Sequence, residues 1–202
     1  MPNQNQSIIP LIFTKDYWKH AVNPNKKLLL LTVTALLMAL NIAISSFFIP
    51  VGENLRIYFS FIPTSLACMI GGPITAICYG FGVDILGTMI HPTGAFFPGY
   101  TLSSILGALI YSLFFFRQRI TVLRIFLCKL SINVFVNIML GSLWSYMLFG
   151  KAYYYYLVKS TIKNSIMLPI EVIIMVILFQ ALLPKLKQMN LIETAKTKIS
   201  FF

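Results

Sequence analysis

Charged side chains are scarce in this sequence, and their scarcity excludes a soluble globular domain. Only 10% of the 202 residues are charged and just 5 are acidic, whereas 58% are hydrophobic and the mean hydropathy is +0.82. An average soluble protein is about a quarter charged, so this chain has too few polar residues to cover a water-exposed surface. The composition predicts an integral membrane protein.

Residues that carry catalytic or metal chemistry are equally sparse. The three cysteines lie inside apolar runs at a spacing that suits no metal site, so we interpret them as small packing residues. His20 and His91 are far apart in the chain and form no metal pair. Gly150 and Lys151 lack the upstream glycine and the following Ser or Thr of a phosphate-binding loop, and no Gly-x-Ser-x-Gly motif occurs. We expect no catalytic residue, no metal, no cofactor and no ATP hydrolysis by this chain.

Continuous apolar runs predict membrane-spanning helices, because barrel strands would alternate apolar and polar residues. We predict an all-α bundle of six transmembrane helices, with a Gly-Gly-Pro turn at 71–73 between the second and the third. The membrane domain is expected at 27–186, after an interfacial segment at 1–26 and before a tail at 187–202. The predicted spans are 27–49, 57–71, 73–90, 97–116, 120–149 and 160–184.

Positive charges predict the orientation of this bundle. With the N-terminus inside, eleven Lys and Arg residues flank the spans on the cytoplasmic side and four on the outer side. We therefore expect both termini in the cytoplasm. The apolar stretch 8–13 is too short for a cleavable signal peptide and contains Pro10. Contact with anionic lipid explains the net charge of +11, and nucleic-acid binding is not implied.

The first span carries a stripe of small side chains. Steps of three and four residues place them on one helical face, where they form a smooth groove that another helix can approach closely. The pattern by itself is typical of packing inside a bundle. The stripe consists of Thr32, Ala35, Ala39, Ala43 and Ser46.

The fifth span carries a polar face. Steps of three or four residues keep its members on one side of a helix, and polar groups in hydrocarbon normally turn towards partners or a cavity. Asp84 in the third span and Glu171 in the sixth are both candidate ion-pair partners of Lys129. One carboxylate then stays available for a ligand. The polar face consists of Lys129, Asn133, Asn137, Gly141 and Trp144.

Aromatic and cationic residues collect on the predicted outer side. Arg56 lies in the first outer loop, Phe97 and Tyr100 belong to the second, and four consecutive tyrosines precede Lys159 and Lys163 in the third. Such a set suits a planar anionic ligand. An interfacial belt of aromatic residues with snorkelling lysines is the alternative for the tyrosines.

These motifs together resemble the folate-specific substrate-binding subunit (S component) of energy-coupling factor (ECF) vitamin transporters, over roughly 28–186. The resemblance implies a six-helix protein of the bacterial cell membrane that binds a vitamin from outside. It also implies partners, namely a transmembrane coupling subunit and two ATPase subunits, with Ala35, Ala39 and Ala43 as the docking face. The motifs are Phe97–Ser103, Leu143–Trp144, Ile162–Asn164, Met167–Ile170 and the alanine stripe.

The resemblance implies a pocket for folate or a related pterin. We expect cations at the mouth to meet the two glutamate carboxylates, aromatic rings to line the flat groups, and amides to pair with the pterin edge. Glu171 is the expected acceptor for the pterin amino group and ring N–H. The expected substrate-binding residues are Arg56, Phe97, Tyr100, Lys129, Asn133, Asn137, Trp144, Lys163, Asn164 and Glu171.

Two positions depart from the family pattern, and two other functions stay open. Gly141 and Ser142 stand where the resemblance leads us to expect Asn-Thr, and Ser160 stands where it leads us to expect arginine. One alternative is an S component for another vitamin or a modified-base precursor, which ligand copurification would distinguish. The other is an unrelated membrane enzyme or assembly factor, which turnover without any partner would indicate.

Overall fold

The computed structural model describes residues 27–52, 55–90, 96–150, 152–189 and 191–192. The predicted N-terminal segment and most of the predicted C-terminal tail lie outside these residues. His20, His91 and Lys151 lie outside them as well.

Helices make up most of the described chain, and a short hairpin follows the first of them. The first predicted span is four residues too long, because Phe48, Ile49 and Val51 favour extended backbone and Pro50 disfavours helix in the residue before it. The two strands pair antiparallel, with Ile49 opposite Ile57. The elements are α1 (Lys27–Ser45), β1 (Phe48–Gly52), β2 (Leu55–Tyr58), α2 (Phe61–Ile90), α3 (Pro98–Phe115), α4 (Val122–Ser131), a π-helix (Ile132–Leu140), α5 (Gly141–Phe149) and α6 (Tyr153–Gln188).

Five helical stretches in the described residues are long and apolar enough to cross a membrane, so the chain is a multi-pass membrane protein. The helix α2 contains the predicted third span and residues 61–71 of the predicted second. The second predicted span begins four residues too early, at 57, because Ile57 and Tyr58 belong to β2. The predicted separation of the two spans is present as a kink, since Gly72 has φ 78° and ψ −178° within α2. Glycine adopts positive φ without steric cost, and Pro73 follows directly. The five stretches are Leu28–Ser45, Phe61–Ile90, Pro98–Phe115, Val122–Leu148 and Tyr153–Gln188.

The core lies where α2, α3, α4 and α6 meet. Phe115 and Phe179 are fully buried and pack edge to face, with ring centroids 5.3 Å apart. Cys68 and Cys128 are also fully buried in this core, as expected of packing residues, whereas Cys78 is exposed. Dispersion and close packing between apolar side chains therefore hold the inner faces of these helices together.

The helix α1 is attached to α2 by polar contacts. Asn41 donates from Nδ2 to the Ser60 carbonyl (2.9 Å) and to Thr64 Oγ1 (2.7 Å), and the Tyr79 hydroxyl donates to the Leu37 carbonyl (3.1 Å). The small stripe lies on another face of α1. All five of its residues are exposed in the structure, so the stripe is not used for packing inside the described bundle.

The close approach of α2 and α3 depends on Gly80. A Cβ atom at this position would lie 2.7 Å from the Ser104 carbonyl oxygen and 2.8 Å from Ile105 Cα. Both atoms belong to the backbone, so one helix has to move if the methyl group is added. Gly87, on the same helix, has nothing within 4 Å of the equivalent position and provides a matched control.

We predict that Gly80→Ala lowers the free energy of unfolding by about 1–3 kcal/mol, the usual cost of overpacking. Thermal unfolding of the purified protein in detergent, without ligand, is the measurement. Gly87→Ala should leave the unfolding temperature unchanged or slightly higher, because alanine is the better helix former. Equal effects of the two substitutions would show that Gly80 does not set the distance between the helices.

Candidate functional site

A cavity of about 990 Å³ lies between the helices and is lined by residues from every described helical element. This volume is at the upper end of the range for small-molecule sites, about 300–1,000 Å³. Along α6 the lining extends from Tyr156 to Glu171. At about 1.5 Å per residue this is roughly 22 Å, so the cavity suits an elongated ligand.

Most of the predicted binding residues meet at this cavity, although they come from four separate helical elements. Asn133 and Trp144 are not among the lining residues. The side chain of Arg56 lies outside the described part of the structure, while its backbone pairs with Pro50 in the hairpin. The predicted residues that line the cavity are Phe97, Tyr100, Lys129, Asn137, Lys163, Asn164 and Glu171.

An ion pair between Lys129 and Glu171 lies at one end of the cavity. The lysine Nζ is 2.8 Å from Glu171 Oε2, and the two side chains are 2% and 13% exposed. The ammonium also donates to the Tyr111 hydroxyl (3.2 Å) and lies 4.4 Å from the centroid of the Phe61 ring. Of the two candidate carboxylates, Glu171 is thus the partner of Lys129. Its expected role as a pterin acceptor stays a prediction.

Amide side chains connect the π-helix to α6 beside the cavity. Asn137 Nδ2 donates to Asn133 Oδ1 (2.9 Å) and to Asn164 Oδ1 (3.4 Å), and Asn133 Nδ2 donates to the Asn164 carbonyl (3.4 Å). Ser160, which stands where arginine was expected, donates to the Asn137 carbonyl (3.0 Å) and accepts from Asn164 (3.1 Å). Asn133 is buried behind Asn137 and orients it, while Asn137 and Asn164 line the cavity.

Two amides of this span lie in the π-helix. Asn133 and Asn137 are four residues apart, a step close to one helical turn, and Asn137 Nδ2 lies 2.9 Å from Asn133 Oδ1. The i→i+5 bonds of a π-helix widen the turn relative to an α-helix. Such π segments are frequent at functional sites.

Aromatic residues of α3 and α5 form one wall, and Gly99 makes their packing possible. The Phe97 ring lies 5.8 Å from Tyr100 and 5.5 Å from Trp144, both in edge-to-face geometry. Trp144 Nε1 donates to Ser103 Oγ (2.9 Å), so the indole supports two lining residues from behind. A Cβ on Gly99 would lie 2.7 Å from Trp144 Cδ2, which explains the glycine in this motif. Direct stacking of Trp144 on a ligand stays a prediction.

Asp84 is a lining residue that we did not predict as a ligand contact. Its Oδ2 accepts from Thr101 Oγ1 (2.6 Å), and its Oδ1 lies 3.4 Å from Ser104 Oγ, which donates to it. A carboxylate within a span normally faces a cavity or a partner, and this rule alone was a sufficient signal. Lys159 also lines the cavity, with its ammonium 5.9 Å from the Tyr155 ring centroid.

Comparisons with known proteins agree with this arrangement. The family model described as "ECF transporter, substrate-specific component" matches residues 29–179. The chain is 38% identical over 149 residues to "Folate transporter FolT" of Clostridium novyi (strain NT), covering 74% of this chain and 87% of that protein. It is 33% identical over 145 residues to "Folate transporter FolT" of Leuconostoc mesenteroides subsp. mesenteroides, and this match covers 68% of this chain and 77% of that protein.

A solved structure is similar to this chain over most of its own length. It is described as "Crystal structure of FolT bound with folic acid" and superposes on this chain with a TM-score of 0.67 and 32% sequence identity. The match covers 75% of this chain and 89% of that chain.

We predict that breaking the ion pair destabilises the protein more than removing it altogether. Lys129→Met and Glu171→Leu alone should each lower the free energy of unfolding by about 3 kcal/mol, because each leaves a charge buried without its partner. The double variant should lose clearly less than the sum of the two. Thermal unfolding without ligand measures all three, with Lys185→Met as an exposed control. Additive losses would contradict the coupling.

Proposed function

The chain belongs to the substrate-specific components of ECF transporters, and from this premise we propose that it is a high-affinity folate-binding subunit. The observation that carries the proposal is the similarity to a FolT structure bound with folic acid, at 32% identity over 75% of this chain. The two FolT relatives support the same ligand. In this proposal the subunit captures folate outside the cell and delivers it through a transporter driven by separate ATPase subunits.

The charges of the cavity favour an anionic ligand. Its described lining contains three lysines, at positions 129, 159 and 163, and two carboxylates, Asp84 and Glu171. Because Lys129 and Glu171 neutralise each other, the net charge of the remaining lining residues is positive. The positive charges, Lys159 and Lys163, both lie on α6. Charge-assisted bonds from Lys159 and Lys163 suit the two carboxylates of the folate glutamate.

The apolar and amide groups favour flat rings with polar edges. Phe97, Tyr100 and Tyr156 line the cavity and offer aromatic faces to the pterin and aminobenzoyl rings. Asn137 and Asn164 offer both donors and acceptors, and their orientations are fixed by the network that joins the π-helix to α6. An elongated, planar and anionic vitamin therefore matches all three properties of the cavity.

The transporter context extends this proposal. The kink at Gly72 divides α2, which supports a six-helix bundle. In this proposal both termini lie in the cytoplasm of a bacterial cell, in agreement with the excess of Lys and Arg on that side. The ends, 1–26 and 187–202, flank the membrane domain on that side. The coupling subunit docks on Ala35, Ala39 and Ala43, because this exposed face lets a partner helix come close. Two partner ATPase subunits supply the energy.

We predict that the purified wild-type chain binds folic acid in detergent without any partner subunit, because the cavity lies within one chain. Lys163→Ala should lower the affinity for folic acid by about 10- to 100-fold, which corresponds to the loss of a charge-assisted contact. The affinity for pteroate should fall much less. Pteroate lacks the glutamate, so the difference between the two ligands isolates that contact. Isothermal titration calorimetry is the measurement.

The controls separate the possible failures. Lys185→Ala, an exposed lysine near the end of α6, should bind both ligands as the wild type does. A wild-type chain that gives no heat with folic acid but responds to another vitamin would refute the folate assignment. Equal losses for folic acid and pteroate would show that Lys163 does not contact the glutamate.

We predict that Ala39→Trp leaves the affinity of the isolated chain for folic acid nearly unchanged but abolishes copurification with the coupling subunit and ATP-dependent uptake. An indole on the stripe holds two helix backbones apart and removes dispersion contacts along the whole interface. Leu40→Trp, on an exposed position beside the stripe, is the matched control and should assemble normally. Normal assembly and uptake by Ala39→Trp, or lost binding in isolation, would refute the docking face.

A further inference from the structure

Asp84 differs from the other carboxylate of the cavity in what surrounds it. Glu171 is neutralised by Lys129 at 2.8 Å. Within the described part of the chain, no Lys or Arg lies within ion-pair distance of Asp84, and its carboxylate accepts only from the hydroxyls of Thr101 and Ser104. Asp84 therefore carries the negative charge on the cavity wall that no ion pair in this part of the chain compensates.

The hydrogen bonds of Asp84 leave acceptor capacity on both oxygens. An ionised carboxylate has about four lone-pair sites, and Thr101 and Ser104 use one on each oxygen. The bond to Ser104 is long, at 3.4 Å. Since a carboxylate within a membrane span is costly without partners, further donors from a ligand in the cavity would stabilise it.

The chemistry of the two oxygens specifies the kind of donor. Two adjacent N–H groups on a flat ring edge match a carboxylate in a bidentate arrangement, which adds geometric specificity to the binding energy. The amino-oxo edge of a pterin has this pair in its 2-amino group and its neighbouring ring N–H. We propose that Asp84 accepts both hydrogen bonds and selects ligands that carry them. This assignment rests on the proposed function, and it gives Asp84 the role that the sequence assigned to Glu171.

The charge of Asp84 also distinguishes the two ends of the ligand. Its negative charge lies on α2, whereas the two lysines that suit the glutamate lie on α6. A ligand carboxylate is repelled by Asp84, whereas a donor edge is attracted to it.

Thr101 holds the carboxylate in place. Its hydroxyl donates at 2.6 Å to Oδ2, and it lies on α3, one turn before Ser104. A purely structural role, in which Asp84 only joins α2 to α3, is the competing explanation. That role would weaken every ligand equally when Asp84 is replaced, whereas a ligand contact makes the loss depend on the donor edge.

The test compares folic acid with 2-deamino folic acid, in which hydrogen replaces the amino group. Calorimetry in detergent measures both ligands on the wild type, on Asp84→Asn and on Thr101→Val. The wild type should prefer folic acid by about 10-fold or more, as expected for one charge-assisted hydrogen bond. In Asp84→Asn the affinity for folic acid should fall by about 10- to 100-fold and that for the analogue by clearly less. Thr101→Val keeps the carboxylate and should keep the preference.

Each outcome bears on one claim. Equal losses for the two ligands in Asp84→Asn would overturn the assignment. If that variant does not fold, the wild-type comparison decides, since equal affinities for folic acid and the analogue would also overturn it. A wild-type chain that binds neither ligand would refute the proposed folate function instead. Selective loss in Asp84→Asn with retained preference in Thr101→Val would support the assignment.

Discussion

The buried ion pair between Lys129 and Glu171 is the interaction on which the cavity depends. It joins α4 to α6 at one end of the cavity, and the amide contacts of Asn137 and Asn164 continue the same polar column. Burying any one of these polar groups alone in hydrocarbon is costly, so each depends on its partners for stabilisation. The polar column therefore fixes how the π-helix and α6 sit relative to each other, and the cavity forms beside it.

Much of the fold followed from hydropathy, because apolar run length and the Gly-Gly-Pro turn have direct physical meanings. The break at Gly72 was predicted correctly, while its form as a kink within α2 depends on packing that the sequence does not show. The π-helix was not predictable for a similar reason. Steps of four residues fit an α-helical face as well, and the two are distinguished by backbone hydrogen bonds that the side-chain pattern does not reveal.

The sequence predicts which types of residue form the site better than it predicts which of them reach the cavity surface. Polar and aromatic residues on the inner faces meet at the cavity, as Asn137 and Tyr100 show. Asn133 and Trp144 lie behind the residues that line the cavity and bond to them. The polar face of a helix is wider than the part of it that contacts a cavity. The choice of Glu171 over Asp84 as the partner of Lys129 depends on distances between helices, which spacing within each helix does not determine.

The contacts of Gly99 with the rings of Phe97 and Trp144 make these three positions a single unit of volume. The space that a side chain at position 99 would fill is taken by both rings, one at the start of α3 and one on α5. With this backbone arrangement, a larger residue at position 99 fits only if both rings are moved or made smaller. The aromatic wall would therefore evolve by coordinated exchanges at the three positions.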